Sequence, residues 1–422
     1  MPALSLPLER YISDPRLLPL ADKVRREERL SFEDGLLLYE SPDLTGIGAM
    51  AHWERLRRHG LKTYYVVSRR LSYTNICVTH CQFCAFEARP GDPKAYVLSA
   101  EQIVKEMEKP ENAGVRELHM VAGHYPKLKI EYFEDLFRRL GPLGAQFMVH
   151  CEDDAIIAAV DPAGLDLRDA HSHTLLRPEQ AEVEAIQRVV DLALTYRAAL
   201  HVVHVSTAEG AEILVRNRPL GKLSFETCPQ YLVLDDTWLQ RPEGHHWLCS
   251  PPLRACRPRL RELARAGAAD ILATDHCAFR PEDKDDWDGK DLRTVANGLP
   301  GIGALPHLAW QLWEDDADRA ALGLATHLAL NPARRAGVQD RKGALTPGLD
   351  ADIAVLDPAG PEQPLRSTLV PAFEAFPRVH SKLSFRHVLL RGEPRVRDGQ
   401  LLDPGRPSGV PLQPATRSLT FR

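Results

Sequence analysis

Four short, mainly apolar runs each end on a polar or ionisable side chain, and this pattern constrains the fold more than any other feature of the chain. His150 follows Gln146 to Val149, His204 follows a run closing at Val203, Glu226 ends the run from Leu223, and Asp275 lies just past Ala273. Each run has a usual strand length. Helical stretches, including Pro178 to Thr195 and Ala208 to Asn217, separate them. Strands alternating with helices predict parallel βαβ units, whose reactive side chains collect at the carboxyl ends of the strands.

Upstream the texture differs. Ser31-Phe-Glu-Asp34 has the form of a capping box, and the apolar spacing after it predicts that the first sixty residues are mostly helical. Tyr64 to Val67 is a β-rich run, and Leu71 to Ile76 is expected to deliver a strand end into a cysteine loop. A helix is predicted over about 100–109, a strand over 116–121 and a helix over 131–140. Gly141-Pro142 and Gly144 then mark a break. After about Gly343 the pattern becomes short strands and turns, clearest at 351–356 and 387–390.

The 422 residues, 44% hydrophobic and 26% charged, suffice for two or three cores. A formal net charge of -5 gives no footprint for nucleic acid or an anionic membrane surface. Met1 to Arg10 has no secretory pattern and no window approaches a membrane span, so the cytoplasm is the expected location. The expected partner is a small-molecule substrate, with no nucleic acid and no membrane, and a homo-oligomer is left open. Eight cysteines are too sparse for a disulfide scaffold, and three of them fall within eight residues.

Those three form Asn75-Ile-Cys77-Val-Thr-His-Cys81-Gln-Phe-Cys84, a CxxxCxxC loop. Three thiolates can hold three irons of a cubane cluster and leave the fourth open to a chelating ligand. Zinc with His80 as a nitrogen donor is the other reading of the same residues. From about residue 8 to 140 the chain resembles aminofutalosine synthase, a radical S-adenosylmethionine enzyme of menaquinone biosynthesis, through 29–35, 73–77, 84–86 and Glu131-Tyr132. The resemblance implies a 4Fe-4S cluster on Cys77, Cys81 and Cys84, with Phe83 and Gly123 on the S-adenosylmethionine side. Only the first strand–helix units of such a barrel lie ahead of residue 140.

At the rear, imidazole and carboxylate at barrel strand ends can converge on one divalent ion, and an aspartate beside metal-bound water can take its proton. From about residue 147 to 398 the chain is similar to hydantoinases and dihydropyrimidinases of the amidohydrolase superfamily. That similarity is carried by Glu226 to Leu232, Cys249-Ser-Pro-Pro-Leu-Arg254, Thr274 to Phe279, Asn297-Gly-Leu-Pro-Gly301, Asn331-Pro-Ala333 and 343–357. It implies metal-dependent hydrolysis of a cyclic amide C–N bond by zinc. In the family two zinc ions act together, and by position His150 and His204 would ligate one, Asp275 would ligate the other and shuttle protons, and Ser250 and Asn297 would bind substrate through their backbones. The family's HxH pair and carboxylated lysine have no counterpart in matching positions, and His171-Ser-His173 reads as a loop pair.

The expected fold is therefore α/β: two partial (β/α) barrels joined in frame, with domains at 1–140 and 141–342, and a small β-sandwich remnant with a tail over 343–422. A hybrid barrel of front and rear strands is the alternative architecture. Three functions follow: a cyclic amidohydrolase with an incomplete metal site, a radical enzyme, and an inactive product of gene fusion or misassembly.

Overall fold

In the computed structural model, the structure describes residues 8–26, 28, 30–59, 68–77, 86, 88–109, 117–120, 122, 125, 127–277, 279–287, 289–366 and 374–402. The chain divides into two compact units, Met1–Val66 and Val67–Leu402.

The first unit is helical, as the capping pattern predicts: α1 spans Leu18–Arg25, α2 Phe32–Glu40 and α3 Leu44–His59. The capping box forms at the start of α2. Ser31 Oγ accepts from the Asp34 amide at 3.2 Å, and the Asp34 carboxylate accepts from the Ser31 amide at 2.8 Å. Leu8, Leu17, Leu20, Ala21 and Met50 make its small core.

In the second unit, β1 (Ser68–Leu71) pairs in parallel with β2 (Glu117–Met120), with α4 (Ala100–Met107) between them in sequence. Next comes α5 (Ile130–Leu140), then a tight turn with Gly144 at φ +83°, a conformation glycine adopts without a Cβ clash. Four strands then build a parallel sheet in the order β3 (Gln146–Val149), β4 (Ala199–Val202), β5 (Leu223–Thr227) and β6 (Ile271–Leu272). Between β3 and β4 run α6 (Asp154–Ala159), α7 (Ser172–Leu176) and α8 (Glu179–Thr195), and α9 (Ala208–Asn217) joins β4 to β5. The pairing places Val149 beside Val202 and Val202 beside Phe225, so the strand ends stay level. Helix α8 buries Val183, Ile186 and Val190 in the core that also takes Leu200, Val202 and Phe225. Fully burying each such side chain stabilises by roughly 1.5–3 kcal/mol before conformational entropy is subtracted.

Among the described residues the front strands pair with each other and the rear four with one another, so no hybrid sheet forms there. The expected boundary at residue 140 nevertheless does not separate compact units. Helix α5 serves both sides of it, because Leu136 and Leu140 join Leu71, Ala100 and Ile103, while Phe137 stacks on Phe147 of β3 with ring centroids 3.9 Å apart. Past residue 343 an antiparallel sheet runs in the order β12 (Gln400–Leu401), β11 (Glu393–Arg397), β10 (Ser384–Leu390), β7 (Ile353–Asp357), and β8 (Gln363–Pro364) pairs with β9 (His380–Ser381).

Candidate functional site

The ends of β3 and β4 bring two predicted ligands together. His150 follows the last residue of β3, and its Nδ1 lies 3.1 Å from Nε2 of His204. His204 sits two residues beyond β4 with φ +39°, and Asp275, three residues beyond β6, has φ +46°. Left-handed backbone at a non-glycine residue costs of order 1 kcal/mol and persists where the surroundings over-determine it, as at binding sites. Two nitrogens on one tetrahedral zinc ion at about 2.0–2.1 Å lie about 3.3 Å apart, so the imidazole pair fits a shared ion to within a few tenths of an ångström. Burial, then the neighbouring His150 ring, lowers the His204 pKa against the opposing pull of Asp275. Both effects favour the neutral imidazole that a metal needs.

Behind the pair lies a charged network that no motif reading anticipated. The other ring nitrogen of His150 hydrogen-bonds Glu152 Oε2 at 3.0 Å, and Arg177 holds the same carboxylate through Nε at 3.0 and 3.1 Å. Burial alone raises the Glu152 pKa, but the bonds from His150 and Arg177 outweigh it and hold it at about 2. A carboxylate on the far nitrogen fixes the tautomer and direction of a ligating histidine. Arg254, 2% exposed, lies 3.9 Å from Glu152 and 4.0 Å from Glu182. Burial lifts the Glu182 carboxyl to about 7, against the opposing pull of Arg254 and a hydrogen bond from the Ser206 hydroxyl. Glu152 stands in the stretch Val149-His-Cys-Glu-Asp153 and Arg254 ends the stretch from Cys249, so both lay within usable signals; Arg177 and Glu182 converge from distant positions and gave none.

Asp275 does not close the set: His150, His204 and Asp275 do not bring their ligand atoms within 4.8 Å of one another. Ser250 and Asn297 do meet, the hydroxyl of Ser250 donating to Asn297 Oδ1 at 3.2 Å. His173, expected in a loop pair, lies in α7, where its Nε2 donates to the Cys249 carbonyl at 2.9 Å and stands 3.3 Å from Ser250 Oγ. His171 instead faces Asp236 at 3.4 Å. A cleft of about 350 Å³ is lined by His173, Arg177, Ser250, Arg293 and Asn297. Glu226, at the end of β5, accepts from the buried His201 at 3.1 Å.

At the front, Cys77 is half-buried, and its amide donates to the Ala88 carbonyl at 3.2 Å. The loop entrance is fixed by Asn75, whose amide group donates to Lys94 O and accepts from the Tyr96 amide, both at 2.9 Å. Cys81, Phe83, Cys84 and Gly123 lie outside the described residues.

A parallel α/β unit with imidazoles at adjacent strand ends defines the class, an α/β fold with hydantoinase-like neighbours. The D-hydantoinase from Bacillus sp. AR9 superposes with TM-score 0.63 at 27% identity, over 72% of this chain and 69% of that one. Dihydropyrimidinase from Brevibacillus agri does so with TM-score 0.62 at 26% identity, over 72% and 68%. In sequence, D-phenylhydantoinase of Escherichia coli is 33% identical over 249 residues, which is 56% of this chain and 53% of the relative. A different part matches aminodeoxyfutalosine synthase of Thermus thermophilus, 46% identical over 131 residues, or 31% of this chain and 35% of that protein. The radical SAM superfamily pattern matches residues 71–167. The chain is thus composite: a radical SAM stretch is joined to a larger hydantoinase-like part. It spans about half the length of the curated hydantoinases and about a third of the synthase.

Proposed function

We propose that the rear two thirds form part of a cyclic-amide hydrolase site, in which His150 and His204 hold one divalent ion, zinc by ligand type, and Asp275 takes and returns the proton. The observation that carries this reading is the 3.1 Å approach of the two imidazole nitrogens, with Glu152 orienting His150 from behind. An ion there polarises an amide carbonyl and acidifies water. The chain's own residues bind the ring of a hydantoin or dihydropyrimidine in the cleft beside Ser250 and Asn297, and their backbones direct the scissile bond toward the strand ends. The architecture belonging to this reading is half a (β/α) barrel followed by a sandwich remnant. Free cysteines such as Cys151 and Cys228 suit a cytoplasmic enzyme, whose thiols stay reduced.

Zinc content and hydrolysis of dihydrouracil and hydantoin at high enzyme concentration test it. The expected result is bound zinc and slow turnover, with the turnover and one equivalent of the zinc lost in His150→Gln and His204→Gln. A chain that is inert in both assays and whose zinc content is unchanged in these variants overturns the proposal.

The match over residues 71–167 favours a second reading for the front part. Cys77, Cys81 and Cys84 would hold a 4Fe-4S cluster, and Phe83 and Gly123 would contact S-adenosylmethionine. Anaerobic reconstitution is then expected to give a brown protein that forms 5'-deoxyadenosine; failure of any cluster to assemble removes this reading.

A further inference from the structure

Away from the His150–His204 pair, another group of side chains presents metal-binding atoms to a common point. The turn Gly244–Trp247 carries His245 and His246, and helix α12 (Pro281–Asp285; α10 is Pro229–Val233 and α11 is Arg257–Arg265) ends on Asp285. Nε2 of His245 and Nε2 of His246 each lie 2.7 Å from the same oxygen, Asp285 Oδ1. Among the described residues, these three alone form a group of His, Cys, Asp or Glu whose ligand atoms all fall within 4.8 Å of one another.

The two rings are held in place. Their centroids are 4.4 Å apart, and the His245 ring lies 5.7 Å from that of Trp287. A Cβ at Gly244 would stand 2.1 Å from the Leu239 carbonyl oxygen, so the turn presenting the histidines is pressed onto the backbone beneath it. On the other side, Lys284 of α12 donates to the carbonyls of Leu248 and Ala296 at 3.2 and 3.1 Å, which fixes the helix next to the turn. The histidine side chains are 18% and 13% exposed and the Asp285 side chain 54%, so the imidazoles are preorganised while the carboxylate side opens to water.

We infer that His245, His246 and Asp285 form a binding site for one divalent transition-metal ion of the zinc class, separate from the His150–His204 pair. A tetrahedral ion bonded at about 2.0–2.1 Å to each group sets ligand atoms about 3.3 Å apart, so each must withdraw by about half an ångström from its hydrogen bond. Rotation of the exposed Asp285 side chain supplies that movement. Two imidazoles and one carboxylate select zinc, cobalt, nickel or copper over magnesium and calcium, which take oxygen ligands. Water completes the shell on the exposed side. Such an ion ties the turn leading to Ser250 to the helix that follows Asp275, and so stiffens the two segments that flank the strand-end residues. The inference does not depend on the hydrolase reading.

The full-length chain, stripped of metal, is titrated anaerobically with cobalt(II), and its visible d–d bands are followed. Thiolate-to-cobalt charge-transfer bands report the cysteine loop separately. Zinc competition against a chelating dye then gives affinity and stoichiometry. The wild-type chain and H150Q/H204Q are expected to share a nitrogen- and oxygen-liganded ion, bound at micromolar affinity or tighter. In H245Q/H246Q and in D285N that ion is expected to bind about tenfold more weakly or worse. D285N changes one exposed atom and keeps the shape of the site, so it decides the matter if the double histidine variant misfolds. An unchanged titration in D285N, or an ion in H150Q/H204Q that binds only at millimolar concentration, overturns the assignment.

Discussion

His173 shows how burial sets a protonation state with consequences for stability. Its ring is 6% exposed and donates to the Cys249 carbonyl, and burial lowers its pKa to about 4 from an ordinary 6.5. Between those values the unfolded chain binds one proton more than the folded chain. The stability this group contributes is therefore present above about pH 6.5 and lost as pH falls toward 4. The loss amounts to roughly 3 kcal/mol at its full extent. Urea denaturation of wild type and His173→Gln between pH 4 and 7 is expected to show the stability gap between them shrinking as the buffer is acidified; a gap independent of pH removes this account. Glu182 has the opposite sense. Its pKa is raised to about 7, so stability present below the ordinary carboxylate value is lost as pH rises toward 7. Replacing it with Gln is expected to remove that decline, measured as a flatter melting temperature between pH 5 and 7. At this scale the sequence is legible where a motif names a residue at a strand end, as at His150 and His204, whose rings the fold brings together. It is silent where a partner arrives from elsewhere in the chain. His171-Ser-His173 has the spelling of a metal pair but reads as a loop pair, and only the fold shows one histidine turned onto Cys249 and the other onto Asp236.

Element positions follow closely from periodicity and capping. The predicted helix over 131–140 begins one residue earlier, at Ile130, and the strand before it is Glu117–Met120 within the expected 116–121. Helix α8 matches its expected span nearly to the residue, and its apolar positions Val183, Ile186, Val189 and Val190 are buried on one side, with Glu182 the ionisable exception among them. What periodicity cannot show is which surface a helix face meets. Leu136, Phe137 and Leu140 mark the buried side of α5, yet the partner on one flank is Phe147, past the join. The join itself is close-packed: a Cβ at Gly141 would lie 2.8 Å from the Tyr196 carbonyl oxygen and 3.0 Å from Ala198 Cβ, and Tyr196 donates its hydroxyl to Glu134 at 2.8 Å. Gly141→Ala is expected to destabilise by about 1–3 kcal/mol through overpacking, although φ at this position is −56° and any residue can adopt it. Phe137→Ala is expected to cost about 3–5 kcal/mol. Chemical denaturation measures both, and a neutral Gly141→Ala would show that the two sides of the join are not in contact.

At the scale of the whole chain, the sequence reading sets the meeting of the two resemblances between α5 and β3. That place suits either barrel, because a strand is due after a helix in both. The radical SAM pattern accordingly runs on to residue 167, through β3 and α6, although the hydantoinase-like histidine at position 150 already lies in that span. The break at Gly141-Pro142 is the sequence signal on which that expectation rests. The seal across it was not visible, since periodicity shows which face of α5 is buried but not which residues past Gly141 meet that face. If the seal is energetic as well as geometric, front and rear parts of the unit Val67–Leu402 unfold together despite their separate sheets. Hydrogen exchange at increasing urea reads this directly. Amides of α4, ahead of the join, and of α8, beyond it, are expected to lose protection at the same urea concentration, and Gly141→Ala is expected to move both by the same amount. Loss of α4 protection well before α8, with Gly141→Ala leaving α8 unmoved, would mean that the two parts touch without sharing stability and that each sheet stands on its own core.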